Sequence, residues 1–188
     1  DAGGLITDVN ASNSESRSVY YSFAAHYAYK SRYVVDFSLR MDATTKFGAS
    51  NRWGYFPSVS LRWNIIDEPF MEPTRKWLSM LSLRPSWGRN GNQPGQDYLF
   101  TSKYGSGDRY LDMQTMKPLN IRLSDLRWEL RTSYNLGVDV GLFNDRLKLA
   151  VEAYHNITDD MLQGNYRIPG SSGFSDVPYK NTGKMKNE

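Results

Sequence analysis

Apolar and polar residues alternate with a period of two over stretches longer than ordinary strands, and one of the two faces carries no charge. That limits this chain more than any other feature. From Ser18 to Lys30, Val19, Tyr21, Phe23, Ala25, Tyr27 and Tyr29 share one face, while Tyr20, Ser22, Ala24, His26 and Ala28 share the other. From Arg32 to Asp42, Tyr33, Val35, Phe37, Leu39 and Met41 alternate with Val34, Asp36, Ser38, Arg40 and Asp42. Segments 57–65, 81–87, 129–142 and 147–153 read the same way. Over these six segments none of 31 positions on the apolar face is charged, against ten of 27 on the other face. This is the pattern of strands that meet a different solvent on each side.

A soluble sandwich or barrel also alternates, so three further features decide the reading. Four of the six segments run about 9 to 14 residues, past the ~5–6 typical of soluble strands and long enough for the ~9–11 of a tilted membrane-crossing strand. Connections are short at one end of the sheet and long at the other, as in outer-membrane barrels. The 14-residue stretch from Ile66 to Ser79 is the exception at the short end; it holds Pro69 and Pro73 and leaves room for a short helical turn. Tyr21, Tyr29, Tyr33, Trp63 and Trp87 stand near strand ends on the apolar face, where interfacial girdles sit. An Arg or Lys facing lipid at mid-depth costs roughly 2–4 kcal/mol, whereas Asp36, Arg40, Asp42, Arg62, Arg84, Arg131 and Asp139 are tolerated toward a water-filled lumen. A mean hydropathy of −0.61 fits strands of which only half must be apolar.

Composition removes other classes. The chain has no Cys, which excludes thiolate chemistry and disulfides, and its two His, His26 and His155, argue against a multi-histidine metal site. A net charge of +3 spread along 188 residues gives no basic stripe for nucleic acid. No apolar run reaches the ~18 residues of a membrane-spanning helix.

Six strands and a partial seventh from Asn181 are too few for closure, since the smallest bacterial barrels have ~8 and open edges facing lipid leave backbone groups unsatisfied. The expectation is therefore an all-β, antiparallel up-and-down arc of six to seven strands of a larger transmembrane barrel, with residues 1–188 part of one domain. Asp1-Ala2-Gly3-Gly4 has neither an initiator Met nor the pattern of a signal peptide, and Lys184-Met185-Lys186-Asn187-Glu188 breaks off inside a patterned segment. Both ends are expected to be internal to a longer chain.

Five elements in order from about residue 54 to 188 carry a resemblance. Gly54-Tyr55-Phe56-Pro57-Ser58-Val59-Ser60-Leu61-Arg62-Trp63 and Leu83-Arg84-Pro85-Ser86-Trp87-Gly88-Arg89-Asn90-Gly91-Asn92 are the first two. Next comes Leu126-Arg127-Trp128-Glu129, with Asn135-Leu136-Gly137-Val138-Asp139 and Phe143-Asn144-Asp145-Arg146-Leu147. Asp160-Met161-Leu162 and Asn181-Thr182-Gly183-Lys184-Met185-Lys186-Asn187 complete the set. Together they resemble the SusC/RagA-type TonB-dependent outer-membrane transporters; residues 1–53 fit as preceding strands without a comparable motif. The resemblance implies a ~22-stranded barrel with a plugged lumen in the bacterial outer membrane. It implies import of oligosaccharides or peptides, a SusD-like surface lipoprotein as lid, and energy supplied through TonB. Plug, TonB-contacting segment and signal peptide would lie outside these residues. Pro85 departs from the family's pattern and removes a ladder donor, so a local bulge is expected there.

Candidate site residues fall in two groups. In the long connection, Asn92, Asp97, Tyr98, Tyr104, Asp108, Arg109 and Tyr110 offer rings for stacking and groups that hydrogen-bond hydroxyls or peptides. The plain alternative is a polar, turn-rich loop or a contact with the lid. On the polar face, Asp36, Arg40, Arg62, Arg84, Arg131 and Asp139 either line a substrate path, pair with a plug, or brace the wall through cross-strand pairs. Gly105-Ser106-Gly107 lacks the strand-Gly-Lys-helix context of a phosphate loop. Asp159 and Asp160, being adjacent, face opposite ways on a strand, unlike a glycosidase pair. A loop calcium there lacks the oxygen-rich spacing that ion needs, and no other cofactor is expected. Neither His has a Ser or Cys at triad spacing. Asn156-Ile157-Thr158 matches a glycosylation sequon, which carries no weight in a bacterial outer-membrane protein. The leading expectation is a transporter that does no covalent chemistry. A soluble lectin-like β-sandwich and a lipase-type outer-membrane enzyme are the alternatives.

Overall fold

The computed structural model describes residues 14–111, 113–174 and 176–188; Asp1-Ala2-Gly3-Gly4 lies outside them. Eleven strands follow one another among the described residues: β1 (Ser18–Tyr29), β2 (Tyr33–Thr44), β3 (Trp53–Asn64), β4 (Leu78–Asn92), β5 (Tyr104–Tyr110), β6 (Met113–Pro118), β7 (Glu129–Leu142), β8 (Leu147–Asp159), β9 (Leu162–Arg167), β10 (Asp176–Asn181) and β11 (Lys184–Asn187). Seven of them make one antiparallel sheet in the order β1-β2-β3-β4-β7-β8-β11. The remaining four form two separate hairpins, β5–β6 and β9–β10, inside the connections 93–128 and 160–183. The sheet is an arc with open edges at β1 and β11.

The strand starting at Leu147 reaches Asp159, and the one expected from Leu81 runs from Leu78 to Asn92. Both take in their flanks, so the six long strands span 12 to 15 residues. The two hairpins were not anticipated. The connection expected to hold a helical turn contains two 3₁₀ segments, Ile65–Asp67 and Pro69–Lys76.

Register follows the alternation. Phe37 stands between Ala25 and Val59, and Asp36 between His26 and Ser60, so like residues share a face across strands. Among the described residues, no second layer packs on the apolar face. Val19, Tyr21, Phe23, Tyr27, Leu61, Leu136, Leu149 and Val151 are all exposed. The buried hydrophobic residues are Phe47, Phe56, Leu78, Leu99, Leu126 and Trp128, and none of them belongs to the uncharged face. A dry core between two sheets, which a soluble sandwich requires, is not how this chain uses its apolar flank.

Tight turns join strands at one end. Lys30 and Ser31 adopt left-handed conformations in the β1–β2 turn, and Phe143, Asn144 and Asp145 in the β7–β8 turn. The connections 45–52, 93–128 and 160–183 all lie at the other end.

Pro85 gives a gap, not the expected bulge. β3 and β4 pair at Ser58–Gly88, Val59–Trp87 and Ser60–Ser86, then again at Trp63–Leu83 and Asn64–Ser82 in unchanged register. Leu61, Arg62, Arg84 and Pro85 are skipped. Without an N–H, Pro85 cannot donate to β3, and the ladder parts there while its other edge stays paired with Leu136. The register shift in β4 lies at Leu78/Met80.

Candidate functional site

The polar face carries a chain of short contacts. His26 Nδ1 lies 2.6 Å from Asp36, and Arg40 Nε donates to Asp42 at 2.8 Å. Ser38 and Ser58 share a hydrogen bond of 2.7 Å. Arg84 is the hub. Its Nε lies 2.7 Å from Asp139 and its Nη2 donates to Asp139 at 2.9 Å and to Glu152 at 3.1 Å, while Ser82 donates to the second oxygen of Asp139. The register aligns Arg84, Gly137 and Glu152 in one row, and a Cβ on Gly137 would stand 3.2 Å from Arg84 Nη2. These strands border a basin of about 600 Å³ lined by His26, Asp36, Ser60, Arg62, Arg84, Asn135 and Glu152. Of the six polar-face candidates, four are thus tied to neighbours. Among the described residues the side chains of Arg62 and Arg131 make no hydrogen bond or close ion pair, although Arg62 stands within electrostatic reach of Asp139.

The second part is a platform at the long-connection end. Phe47 is fully buried and its ring lies 5.0 Å from that of Trp128, against which Phe56 packs edge-on at 5.4 Å. Leu99 and Leu126 complete the cluster, with Leu123, Leu130, Leu162 and Tyr179 packed against it. A Cβ on Gly91 would lie 2.2 Å from Phe56 Cζ, so only glycine lets that ring seat. Three connections meet here. Trp128 Nε1 donates to the Arg52 carbonyl, Asn51 to the Leu126 carbonyl and the Leu123 amide to Leu99. Arg127 grips Asp160 through two hydrogen bonds of 2.9 and 2.6 Å, a bidentate pair that holds the guanidinium more firmly in its charged form. Asn181 accepts from the Arg127 amide and donates to the carbonyls of Arg127 and Asp160.

The seven candidates of the long connection separate. Asn92, Asp97 and Tyr98 belong to the platform: Asn92 caps the Gln93 amide, Asp97 lies 3.8 Å from Lys46, and the Tyr98 hydroxyl accepts from the Glu15 amide. Tyr104, Asp108, Arg109 and Tyr110 sit together on β5, exposed on the projecting hairpin. Asp159 and Asp160 pair with different cations, Lys184 at 3.0 Å and Arg127 at 2.6 Å. No group of three or more His, Asp or Glu suited to a metal comes together among the described residues.

A groove of about 390 Å³ between residues 122–127 and the β9–β10 hairpin went unforeseen; Arg122, Asp125, Tyr166, Tyr179 and Lys180 line it. Lys180 lies 4.8 Å over the Tyr166 ring. The signal for the platform was present in Trp128 and Asn181, both within the quoted motifs, but no local rule says that they converge.

The family model described as TonB dependent receptor-like, beta-barrel, matches residues 1–188. The chain belongs to this family. TonB-dependent receptor P39 of Formosa agariphila is 35% identical over 161 residues, covering 86% of this chain and 15% of that protein. TonB-dependent receptor SusC of Bacteroides thetaiotaomicron is 33% identical over 172 residues, covering 86% of this chain and 17% of that protein. Among solved structures, the RagAB peptide importer in its open-open state aligns with a TM-score of 0.77 at 31% identity, covering 97% of this chain and 20% of that one. In its closed-closed state the TM-score is 0.76 at 32% identity, over 91% of this chain and 18% of that one. The resemblance to SusC and RagA seen in the motifs holds across the chain, and the arc is part of a TonB-dependent receptor barrel. The chain spans less than a fifth of the curated relatives it matches.

Proposed function

We propose that this chain supplies part of the wall and the surface platform of an outer-membrane importer of the SusC/RagA type. Such an importer would be energised through TonB, carry oligosaccharides or peptides, and work with a SusD-like lipoprotein. Long connections then face outward and tight turns face the periplasm. The observation that carries this reading is the exposed, uncharged flank on one side of strands whose other side holds a braced, charged wall below an ordered platform. We assign no covalent step to this chain. Arg62 and Arg131, whose guanidinium groups make no hydrogen bond among the described residues, are suited to carboxylates or hydroxyls of a passing solute or a plug. Tyr104 and Tyr110 on the β5–β6 hairpin present rings to a sugar face or to a lid.

The test uses the full-length protein in its native host. Tagged transporter is isolated from outer membranes and examined for a co-purifying surface lipoprotein, and uptake of labelled oligosaccharides and peptides is compared with and without TonB. TonB-dependent uptake of one class, with the lipoprotein present, is the expected result. Uptake independent of TonB, or none of either class, would overturn it.

A further inference from the structure

We infer that the connection 65–77 is an interfacial membrane anchor, laying Phe70 and Trp77 into the headgroup zone of the adjoining phospholipid leaflet. The inference rests on the membrane placement proposed above. Tight turns close the other two junctions at this end, so a thirteen-residue excursion there needs its own reason. Its path is set by Glu68. This carboxylate accepts the hydroxyl of Tyr33 at 2.5 Å and the Nε1 of Trp63 at 3.1 Å, with Arg32 at 3.6 Å. Tyr33 and Trp63 are registered partners on the apolar face, their rings stacked at 6.3 Å and 15°. A segment whose carboxylate reaches those two groups passes over the lipid side of the rim, not across the lumen mouth.

What that segment presents is amphipathic. Phe70 is 63% exposed and Trp77 50% exposed, and Phe143 in the neighbouring β7–β8 turn, whose amide donates to the Trp77 carbonyl at 2.8 Å, is 59% exposed. Exposed rings continuous with an aromatic girdle are placed where one end is apolar and the other wet. Two cations flank them. Lys76 is exposed, and Arg75 folds back on the Ile66 carbonyl at 3.2 and 3.1 Å and stands 3.6 Å from Asp67. Arg75 braces the segment, while Lys76 beside these rings is the cation placed to reach a lipid phosphate. The occupant is therefore a phospholipid interface, continuous with the lipid surface the wall already faces.

The experiment places a nitroxide label at position 70 of the full-length transporter by Phe70→Cys, reconstituted in phosphatidylethanolamine/phosphatidylglycerol nanodiscs. Its collision with oxygen, which partitions into lipid, is compared with collision with a water-soluble nickel chelate. Phe37→Cys serves as the mid-bilayer reference and Ser106→Cys as the aqueous one. An oxygen-to-nickel ratio at position 70 severalfold above that at 106, and below that at 37, is expected. A ratio equal to that at 106 while 37 still reads as lipid would overturn the anchor alone. Protection from both reagents would mean a protein partner and would also overturn it. An aqueous reading at 37 would bring down the membrane placement itself, and the anchor with it.

Discussion

Arg84 on β4 reaches Glu152 on β8 across an intervening strand, and it does so at 3.1 Å because the position between them on β7 is Gly137. A side chain at 137 would occupy the guanidinium's path. Gly137→Leu is expected to detach Arg84 from Glu152 while leaving Asp139, its nearer partner, in reach. The check is thermal unfolding of the full-length barrel followed by heat-modifiable gel mobility, where Gly137→Leu should lower the midpoint and Glu152→Gln should lower it less. Equal midpoints for wild type and Gly137→Leu would remove Arg84 as a brace.

The two faces differ in what they tolerate. Phe37→Arg or Leu61→Arg should cost roughly 2–4 kcal/mol each at mid-depth and reduce assembled barrel in outer-membrane fractions. Ser38→Arg and Ser60→Arg, one position along the same strands, should assemble normally, the second placing its cation beside Asp36 on β2. Equal losses on both faces would contradict the assignment of lipid and lumen sides.

The platform carries the cluster of buried hydrophobic residues Phe47, Phe56, Leu99, Leu126 and Trp128. Trp128→Ala removes a buried aromatic side chain and should cost about 3–5 kcal/mol locally. Because the cluster seats the connections on the outer ends of β3 and β7, the expected effect is faster proteolysis of 93–128 and 160–183 with the barrel still assembled. Gly91→Val, which forces a side chain into the Phe56 ring, should do the same.

The pH response of the short-turn end follows from Glu68. Hydrogen bonds from Tyr33 and Trp63 hold its carboxyl below the usual carboxylate range, against the opposing effect of burial, and Arg32 adds to the lowering. The folded state thus binds this proton less tightly than the unfolded one, so the stabilisation is full above the ordinary glutamate value and fades as pH falls through the depressed folded value. Glu68→Gln should be less stable than wild type at neutral pH and show a smaller loss on acidification; the same gel-mobility midpoints, read at pH 7 and at pH 4, check it.

Where the sequence spoke clearly, a physical boundary stood behind it. Two unlike faces leave a period of two that Phe37 and Asp36 display without help from any distant residue, and the Glu129–Leu142 strand is read to the residue. Strand ends were less legible. Arg89-Asn90-Gly91-Asn92 carries turn-forming residues yet continues β4, because pairing with 129–132 of β7 outweighs local preference. The β5–β6 hairpin hides in Tyr104-Gly105-Ser106-Gly107-Asp108, whose glycines read as loop. Asn181 and Trp128 were visible as motif residues, but their partners, Arg127 and Arg52, lie 54 and 76 positions away. Only the folded chain brings them together.

Between β2 and β8, the interruption beside Pro85 sets where this wall is weakest. β3 and β4 share five registered pairs, while β2–β3 share eleven and β4–β7 fourteen. Mechanical load arriving at the cylinder would concentrate along that seam, and deuterium from the solvent would penetrate there before anywhere else between β2 and β8. Breathing of the wall between β2 and β8 would start at this junction, the one that Arg62 and Arg84 flank.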